Sequence, residues 1–359
     1  MHVPDGFIDA PVSVAAGVVA AGAVAVSLRG ARRELGGSPV ALVGAERTAP
    51  LAGLVAAFVF AVQMLNFPVA AGTSGHLLGG ALAAILVGPY TGVLCIAVVL
   101  LMQGILFADG GLTALGVNIT VMGVITVLVA YGLFRGLLAV LPRTRRSVTA
   151  ASFAAALVSV PASAAAFTLI YAVGGVTEVP IGSVFTAMVG VHTLIGIGEA
   201  TITMLTVGAV LAVRPDLVYG ARGLSAPLKL RVGGELVDAP AAAPAPAAPR
   251  SPRKVWLAGL ATSLVLAGFV SFYASADPDG LEKVAADKGF DKSVEEHAAA
   301  ESPLADYGVK DISDARISGG LAGVIGVGAT VVVGSGVFYV VRRRRTEDAG
   351  PTAVPSTSA

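Results

Sequence analysis

Residues 91–107, TGVLCIAVVLLMQGILF, form an uncharged apolar stretch of the kind that decides the fold of this chain. A helix that crosses a bilayer needs roughly 20 mostly apolar residues. The rest of the chain has the same character, with 55% apolar residues, 13% charged residues and a mean hydropathy of +0.82. These values lie outside the range of soluble domains and predict an all-α integral membrane protein.

Charge and cysteine content narrow the class of protein further. The formal net charge is only +1, so the chain has no overall positive field that would indicate a nucleic-acid partner. The single cysteine, Cys95, lies inside an apolar run and excludes an intramolecular disulfide framework.

Apolar stretches predict nine membrane spans. They lie at about 11–28, 50–67, 77–88, 91–107, 117–137, 149–173, 181–213, 255–275 and 318–341. The 77–88 stretch is short, and we interpret it as a helix completed by bends at Gly75 and Pro89. The 181–213 stretch is long enough to tilt or to begin outside the hydrocarbon. The first seven spans predict a seven-helix body, and the last two predict a two-helix C-terminal membrane domain.

Lysine and arginine in the short loops predict the orientation, because basic loops stay in the cytoplasm. Counted alternately, all the basic loops fall on one side, and the uncharged or acidic loops 68–76, 108–116 and 174–180 fall on the other. The basic residues are Arg29, Arg32, Arg33, Arg47, Arg143, Arg145, Arg146, Arg214, Arg222, Lys229, Arg231 and Arg342 to Arg345. The N-terminus is therefore expected outside and the C-terminus in the cytoplasm.

Composition divides the chain into four regions. We predict a membrane domain at 1–214, a cytoplasmic linker at 215–254, a two-helix domain at 255–341 and a cytoplasmic tail at 342–359. The linker includes DAPAAAPAPAAPRSPRK, which favours an extended, polyproline-like spacer, and the last residues, 346–359, are expected to be disordered. The outside loop 276–317 has eleven acidic and five basic residues. It either forms a short helix around Glu282–Gly289 or is largely mobile.

The first residues, MHVPDGF, do not have the pattern of a signal peptide. No Lys or Arg precedes Arg29, and acidic residues stand at Asp5 and Asp9. His2 is too bulky a neighbour for routine removal of Met1. We therefore expect a mature chain with a free amino group next to an imidazole.

That arrangement suits a metal ion. The Met1 amine, the His2 main-chain nitrogen and the His2 imidazole can chelate one divalent ion in fused rings and leave one equatorial position open. Planar nitrogen coordination suits Ni²⁺ or Cu²⁺ and is tolerated by Co²⁺. The alternative is that His2 follows Met1 by chance.

His76 is the candidate for the fourth nitrogen. It lies in the glycine-rich stretch LNFPVAAGTSGHLLGG, residues 65–80, on the same predicted side as His2. Asn66, Thr73 and Ser74 flank it and are possible outer-shell partners that orient its ring. The alternative is a hydrogen-bonded histidine in a re-entrant loop with no ligand role.

Five other polar residues are weaker candidates. Gln103, Asp109 and Asn118 bracket the next outside loop, where Asp109 is a possible outer-shell carboxylate; the alternative is that these residues cap helix ends. His192 and Glu199 are two turns apart on one face of span seven. Ionisable residues inside a membrane are functional candidates, but a structural polar contact is an equal alternative.

Four motifs carry a family resemblance. MHVPDGFID, LNFPVAAGTSGHLLGG, QGILFADGGLTALGVNITVMG and HTLIGIGEATIT occur in this order within about residues 1–215. They resemble the CbiM/NikM family, the substrate-capture (S) components of energy-coupling-factor transporters for cobalt and nickel. DPDGLEKVAADKGF, at 277–290, resembles the PDGLE domain found beside or fused to these proteins. The resemblance implies a metal site made of Met1, His2 and His76, with no cofactor of its own and Ni²⁺ or Co²⁺ as the transported ion.

The resemblance also implies partners. The chain contains no Gly-x4-Gly-Lys-Ser/Thr loop, so ATP hydrolysis is expected from separate paired ABC ATPase subunits that act through an EcfT-type transmembrane coupling protein. The chain is then a transport component of the plasma membrane and not an enzyme. The alternative function is an ATP-independent secondary permease or channel, which needs a polar relay across the membrane. The repeated tripeptide at 4–6 and 278–280 gives the hypothesis that the acidic loop helps to load metal.

Overall fold

The computed structural model describes residues 1–35, 48–70, 72–142, 144–222, 229–232, 235–238 and 253–348. Within them the chain is mostly helical. The helices are α1 Ala10–Leu35, α2 Thr48–Gln63, α3 Gly80–Val87, α4 Pro89–Leu106, α5 Leu115–Asn118, α6 Thr126–Val140, α7 Arg145–Gly174, α8 Ile181–Val213, α9 Arg253–Gly268, α10 Gly280–Lys288 and α11 Ala315–Asp348. A π-helical segment, Ile119–Ile125, joins α5 to α6.

Seven helical segments in the described residues are long and apolar enough to cross a membrane. They are α1, α4, the continuous 115–140 segment, α7, α8, the 253–273 segment and α11. The other two predicted spans correspond to shorter helices: α2 has 16 residues, and α3 has eight. Gly79 and Gly88, with φ of 78° and 102°, bound α3 at both ends, because positive φ ends an α-helix.

Two antiparallel hairpins in the described residues depart from the predicted all-α class. Strands β1 Phe67–Ala70 and β2 Thr73–Gly75 pair Phe67 with Gly75, where the second span was predicted to continue to residue 67. Pro68 explains the difference, since proline lacks an N–H and pushes the preceding residue towards extended backbone. Strands β3 Lys229–Val232 and β4 Glu235–Asp238 pair within the predicted linker.

The C-terminal helices pack directly on the body. Helix α2 contacts both α9 and α11, and α11 also contacts α4. Small residues permit the crossing of α2 and α11: a Cβ added to Gly53 would lie 2.3 Å from Ser335 Oγ. Close approach of helix backbones at small residues is a common mode of packing in membranes.

The loop between α9 and α11 is ordered as a layer over one end of the bundle. Of the two alternatives for this loop, the structure has the helical one, and α10 covers Gly280–Lys288. Asp279 and Glu282 form a reciprocal capping box at its start, and Gly289, at φ 80°, ends it in the left-handed conformation.

Parts of the predicted linker and tail lie outside the described residues. The alanine- and proline-rich residues 239–252 are among them, and so are residues 349–359. Helix α11 continues to Asp348 and therefore extends into the region predicted as the tail.

Candidate metal site

Residues 1–9 insert into the bundle and are held by their main chain. Met1 and Val3 are 2% and 0% exposed. The Asn118 side chain accepts a hydrogen bond from Val3 N at 2.8 Å and donates one to Val3 O at 3.0 Å. The Asp5 carboxylate accepts from the main-chain nitrogens of Leu112 and Thr113. These contacts fix the position of the first two residues.

The Met1 amine, His2 and His76 meet at the inner end of this segment. The Met1 nitrogen lies 2.6 Å from His76 Nε2, and the His2 and His76 rings stack with centroids 4.9 Å apart. Two donors at right angles around a metal, each about 2.0 Å away, are about 2.8 Å apart. The amine and His76 Nε2 therefore have the spacing of neighbouring ligands in a planar site.

A hydrogen bond sets the proton position of the His76 imidazole. His76 Nδ1 lies 2.9 Å from the Leu77 carbonyl oxygen, which can only accept, so Nδ1 carries the proton and Nε2 keeps its lone pair. Both ring nitrogens of His2 face acceptors, since Nε2 lies 3.2 Å from Gln103 Oε1 and Nδ1 lies 3.2 Å from Asp109 Oδ1. His2 Nδ1 is the nitrogen that closes a chelate ring with the His2 main-chain nitrogen, and a metal bound there takes the place of a proton. Burial lowers the pKa of His2 to about 4, against the opposing effect of Asp109, so its imidazole is neutral at pH 7.

The Gln103 orientation is fixed by a chain of hydrogen bonds that begins in the C-terminal loop. Tyr307 donates from its hydroxyl to Asp109 Oδ2 at 2.5 Å, so the hydroxyl oxygen accepts from Gln103 Nε2 at 3.0 Å. Burial raises the pKa of Tyr307 well above 10 and keeps its proton in place. Asp109 Oδ1 lies 3.2 Å from His2 Nδ1 and is placed to offset the charge of a bound cation.

Glu199 and Gln63 hold the segment that carries His76. The Glu199 carboxylate accepts from Leu78 N at 2.7 Å and from Gly79 N at 3.1 Å. Gln63 Nε2 donates to Leu78 O at 2.8 Å. The peptide group between Leu78 and Gly79 therefore has both its polar groups bonded to side chains, as buried irregular backbone requires.

The turn at 278–280 closes the site from the C-terminal domain. Ser74 N donates to Pro278 O at 2.9 Å, and Ser74 Oγ donates to Asp277 O at 2.7 Å. The Met1 amine donates to Asp279 Oδ2 at 2.7 Å, and this oxygen lies 3.6 Å from His76 Nε2. Burial alone would raise the pKa of Asp279, but the amine and His76 hold it well below its usual range.

A cavity of about 670 Å³ opens beside the site between the two domains. Its walls include His2, His76 and several acids, namely Asp109, Asp277, Asp279, Glu282, Asp291 and Asp306. Such a volume exceeds that of a hydrated ion, because each water takes up about 30 Å³ of liquid. The acidic lining favours cations over anions at this entrance.

The predicted outer-shell residues lie in different places. Asp109 and Ser74 make the contacts described above, and the Asn66 side chain lines the cavity. Thr73 is buried in β2. His192 is fully buried, and its Nδ1 lies 2.8 Å from Met188 O in its own helix. Both His192 and Glu199 thus contact main chain.

Sequence reasoning missed two residues of this site, Asp279 and Tyr307. The repeated Pro-Asp-Gly tripeptide was a signal for Asp279, but a turn explained it equally well. Tyr307 had no signal, since it lies 204 positions after Gln103 in the chain. In the described ranges, no three His, Cys, Asp or Glu side chains are already arranged as a metal-binding group, and the candidate set includes the terminal amine and a main-chain nitrogen.

Comparisons with known proteins agree with this architecture. Residues 2–217 match the CbiM family, described as a cobalt uptake substrate-specific transmembrane region, and residues 253–343 match the PDGLE domain. The chain is 40% identical over 219 residues to a putative metal transport protein of Haloquadratum walsbyi, a match that covers 61% of this chain and 94% of that protein. It is 41% identical over 223 residues to a putative fused nickel transport protein NikMN of Archaeoglobus fulgidus, covering 61% and 68% of the two chains.

A solved structure described as a transition metal transporter is also similar. It has a TM-score of 0.52 and 25% identity, and the match covers 62% of this chain and all of that one. Since the CbiM match covers more than half of the chain, the protein is a multi-pass membrane protein of the CbiM family, described as a cobalt uptake substrate-specific transmembrane region, and it carries a C-terminal PDGLE domain.

Proposed function

We propose that this protein captures Ni²⁺ or Co²⁺ outside the cell and delivers it to the cytoplasm as the substrate-specific component of an ATP-driven energy-coupling-factor importer. The ligands are the Met1 amine, the His2 main-chain and ring nitrogens, and His76 Nε2. The family description names cobalt uptake, and the relative from Archaeoglobus fulgidus is named as a nickel transport protein. Imidazole and other nitrogen donors suit both ions.

The spacing of the amine, His2 and His76 carries this proposal. The 2.6 Å separation of the Met1 nitrogen from His76 Nε2 and the stacked His2 ring fit neighbouring positions around one planar ion. The tautomer inferred for His76 directs the Nε2 lone pair to the position that such an ion needs. The chelate depends on Met1 being the first residue of the mature chain, which intact-mass measurement tests directly.

Power for transport is proposed to come from partners. An EcfT-type coupling protein and paired ATPase subunits would bind the membrane-embedded body, whose helix α1 exposes Val14, Val18 and Val26. The distribution of basic loops supports an arrangement with the metal site on the outer side of the membrane. Uptake should therefore require the ATPase subunits in the same cell.

Metal content and competition binding on the purified full chain test the capture step. We expect one equivalent of Ni²⁺ or Co²⁺ in the native protein, no tight binding by His2→Ala, and no tight binding when one extra Gly precedes His2. The extra residue moves the amine away from the chelate without removing a side chain. His297→Ala is the matched control, because His297 contacts Gly110 O and is not a proposed ligand.

Native-like binding by the His2→Ala and extra-Gly variants would refute the amino-terminal site. The ATP-independent permease is tested separately by uptake in cells with and without the ATPase subunits. A relay across the membrane would involve His192 and Glu199, but their described hydrogen bonds are to main-chain groups. Uptake that persists without the ATPases would favour the permease.

A further inference from the structure

The Asp279 carboxylate occupies a position that none of the candidate nitrogen ligands fills. Its Oδ2 lies 2.7 Å from the Met1 nitrogen and 3.6 Å from His76 Nε2, and these two nitrogens are 2.6 Å apart. A triangle with these sides has a circumradius of about 1.8 Å. One cation just above its plane can therefore lie about 2.0–2.1 Å from all three atoms, the usual range for metal bonds to nitrogen and carboxylate oxygen.

We propose that Asp279 is a ligand of the transported metal, so that the capture site is completed by the C-terminal domain. This inference rests on the proposed capture by Met1, His2 and His76, and it adds one oxygen donor to those four nitrogens. The side chain of Asp279 is 11% exposed, which makes it a buried anion directed at the ion position.

The two oxygens of Asp279 have separate tasks. Oδ1 accepts hydrogen bonds from Leu281 N at 2.7 Å and Glu282 N at 2.9 Å, as the cap of α10. Oδ2 contacts the Met1 amine. Capping therefore fixes the carboxylate from one side and leaves the second oxygen directed at the site, as outer contacts commonly do for ligating carboxylates.

The main chain around Asp279 is also held in place. Ser74 binds Pro278 O, and Gly280 is so close to α8 that an added Cβ would lie 2.9 Å from Val191 Cγ1 and 3.1 Å from His192 Cε1. The turn is thus fixed between the segment that carries His76 and the helix behind it. Such a rigid setting is what a metal ligand needs.

An oxygen donor outside the nitrogen plane has a consequence for metal affinity. General affinity for nitrogen sites is highest for Cu²⁺, so a transporter for Ni²⁺ or Co²⁺ must select through geometry. A fifth ligand raises the coordination number above four, which Co²⁺, Ni²⁺ and Cu²⁺ all accept. We therefore expect Asp279 to strengthen the binding of all three ions, and selectivity against Cu²⁺ to come from the rest of the site.

The test is nickel X-ray absorption and competition binding on the purified full chain with one equivalent of Ni²⁺. Asp279→Asn is the informative variant, since Asn caps helices as well as Asp and so preserves α10 while removing the anionic oxygen. Asp287→Asn is the matched control: this acid is exposed, lies on the same short helix α10, forms an ion pair with Lys283 and does not line the cavity.

We expect five light-atom donors in the native protein and in Asp287→Asn. Asp279→Asn should lose one donor, show the stronger pre-edge feature of planar nickel, and bind Ni²⁺ about tenfold more weakly. A native absorption spectrum in Asp279→Asn would overturn the inference. Tighter binding by that variant would also overturn it, because Asp279 would then compete with the metal for the Met1 amine.

The two proposals fail differently. If His2→Ala abolishes binding while Asp279→Asn has a native spectrum, the amino-terminal site stands and the added ligand does not. If His2→Ala binds nickel as the native protein does, the proposed capture site itself is wrong, whatever the result for Asp279→Asn.

Discussion

The residues of the candidate metal site differ in how well the sequence alone could predict them, because some are neighbours in the chain and others are far apart. The chelate of Met1 and His2 could be proposed from the sequence because its donors belong to neighbouring residues. His76 followed from its place in an uncharged glycine-rich loop, and its ligand role stays a prediction. The position of Asp279 in the site could not be predicted from the sequence. It contacts the Met1 amine although the two residues are 278 positions apart, and the residues around each of them do not indicate that contact.

Asn118 gives a prediction at the residue scale. Asn118→Asp keeps the acceptor for Val3 N but replaces the donor to Val3 O with an oxygen, so two acceptors face each other. Leaving buried groups unsatisfied costs about 1–3 kcal/mol. We expect the first residues to loosen and nickel affinity to fall about tenfold, measured by competition binding.

Thr120→Val is the control for that experiment, because Thr120 makes only a 3.5 Å contact with Ala16 O in the same stretch of helix. It should bind nickel like the native protein. Unchanged nickel affinity in Asn118→Asp would show that the hydrogen bonds between Asn118 and Val3 do not position the Met1 amine.

Helix bounds were predicted well where a long apolar stretch determines them, and poorly where a single residue ends the helix. Long apolar runs predicted α4, α7 and α8 to within a few residues, whereas α11 ends at Asp348, beyond the predicted 341. The ends of two predicted spans differed, at 64–67 and 77–79, because Pro68 and the left-handed Gly79 put extended or irregular backbone where helix was expected. Glu199 and Gln63 form hydrogen bonds with the main chain of residues 78 and 79. They lie on other helices, so the sequence of this segment could not predict these contacts.

Helix α8 gives a prediction at the element scale. Glu199→Gln keeps one acceptor oxygen but replaces the other, so that an amide NH₂ faces the N–H of Leu78 or Gly79. Loss of an outer-shell partner typically weakens metal binding 10- to 100-fold. We expect the affinity for nickel, measured by equilibrium dialysis, to fall by about 10- to 100-fold, because His76 is displaced.

Thr201→Ala, on the exposed side of the same helix, should leave nickel affinity unchanged, since Thr201 only donates to Ile197 O. If Glu199→Gln also binds like the native protein, the position of His76 does not depend on α8.

The sequence did not predict that the C-terminal membrane domain packs against the N-terminal body. A proline-rich linker suggests two separate membrane domains, yet α11 and α9 pack on α2 of the body. The acidic loop docks as well: Glu295 N donates to Asp5 O at 3.0 Å, and Gly6, at φ 86°, leaves no room for a side chain beside Ser293 O. Contacts between residues so far apart in the sequence depend on the tertiary fold, and the pattern of apolar residues does not predict them.

Phe290 gives a prediction at this scale. It is fully buried between Phe7 of the N-terminal segment and Tyr171 of α7, with ring centroids 5.2 Å and 4.9 Å away. Phe→Ala in a core costs about 3–5 kcal/mol. We expect Phe290→Ala to release the loop from the body and to speed amide hydrogen exchange across residues 276–311.

Val294→Ala is the matched control, because Val294 is 50% exposed and its truncation removes little packing. Exchange in the loop should then stay near the native rate. Slow exchange in Phe290→Ala would mean that the loop is held by its polar contacts alone.

The contact between Met1 and Asp279 also sets an order of events during synthesis. Translation produces the amine first and the carboxylate 278 residues later, so the two can meet only after most of the chain has left the ribosome. Any enzyme that trims or modifies the amino end must act in that interval, because the amine is buried once the loop docks. At about 5–20 residues synthesised per second, the amine of a nascent chain is accessible for on the order of tens of seconds, and docking of the loop then buries it.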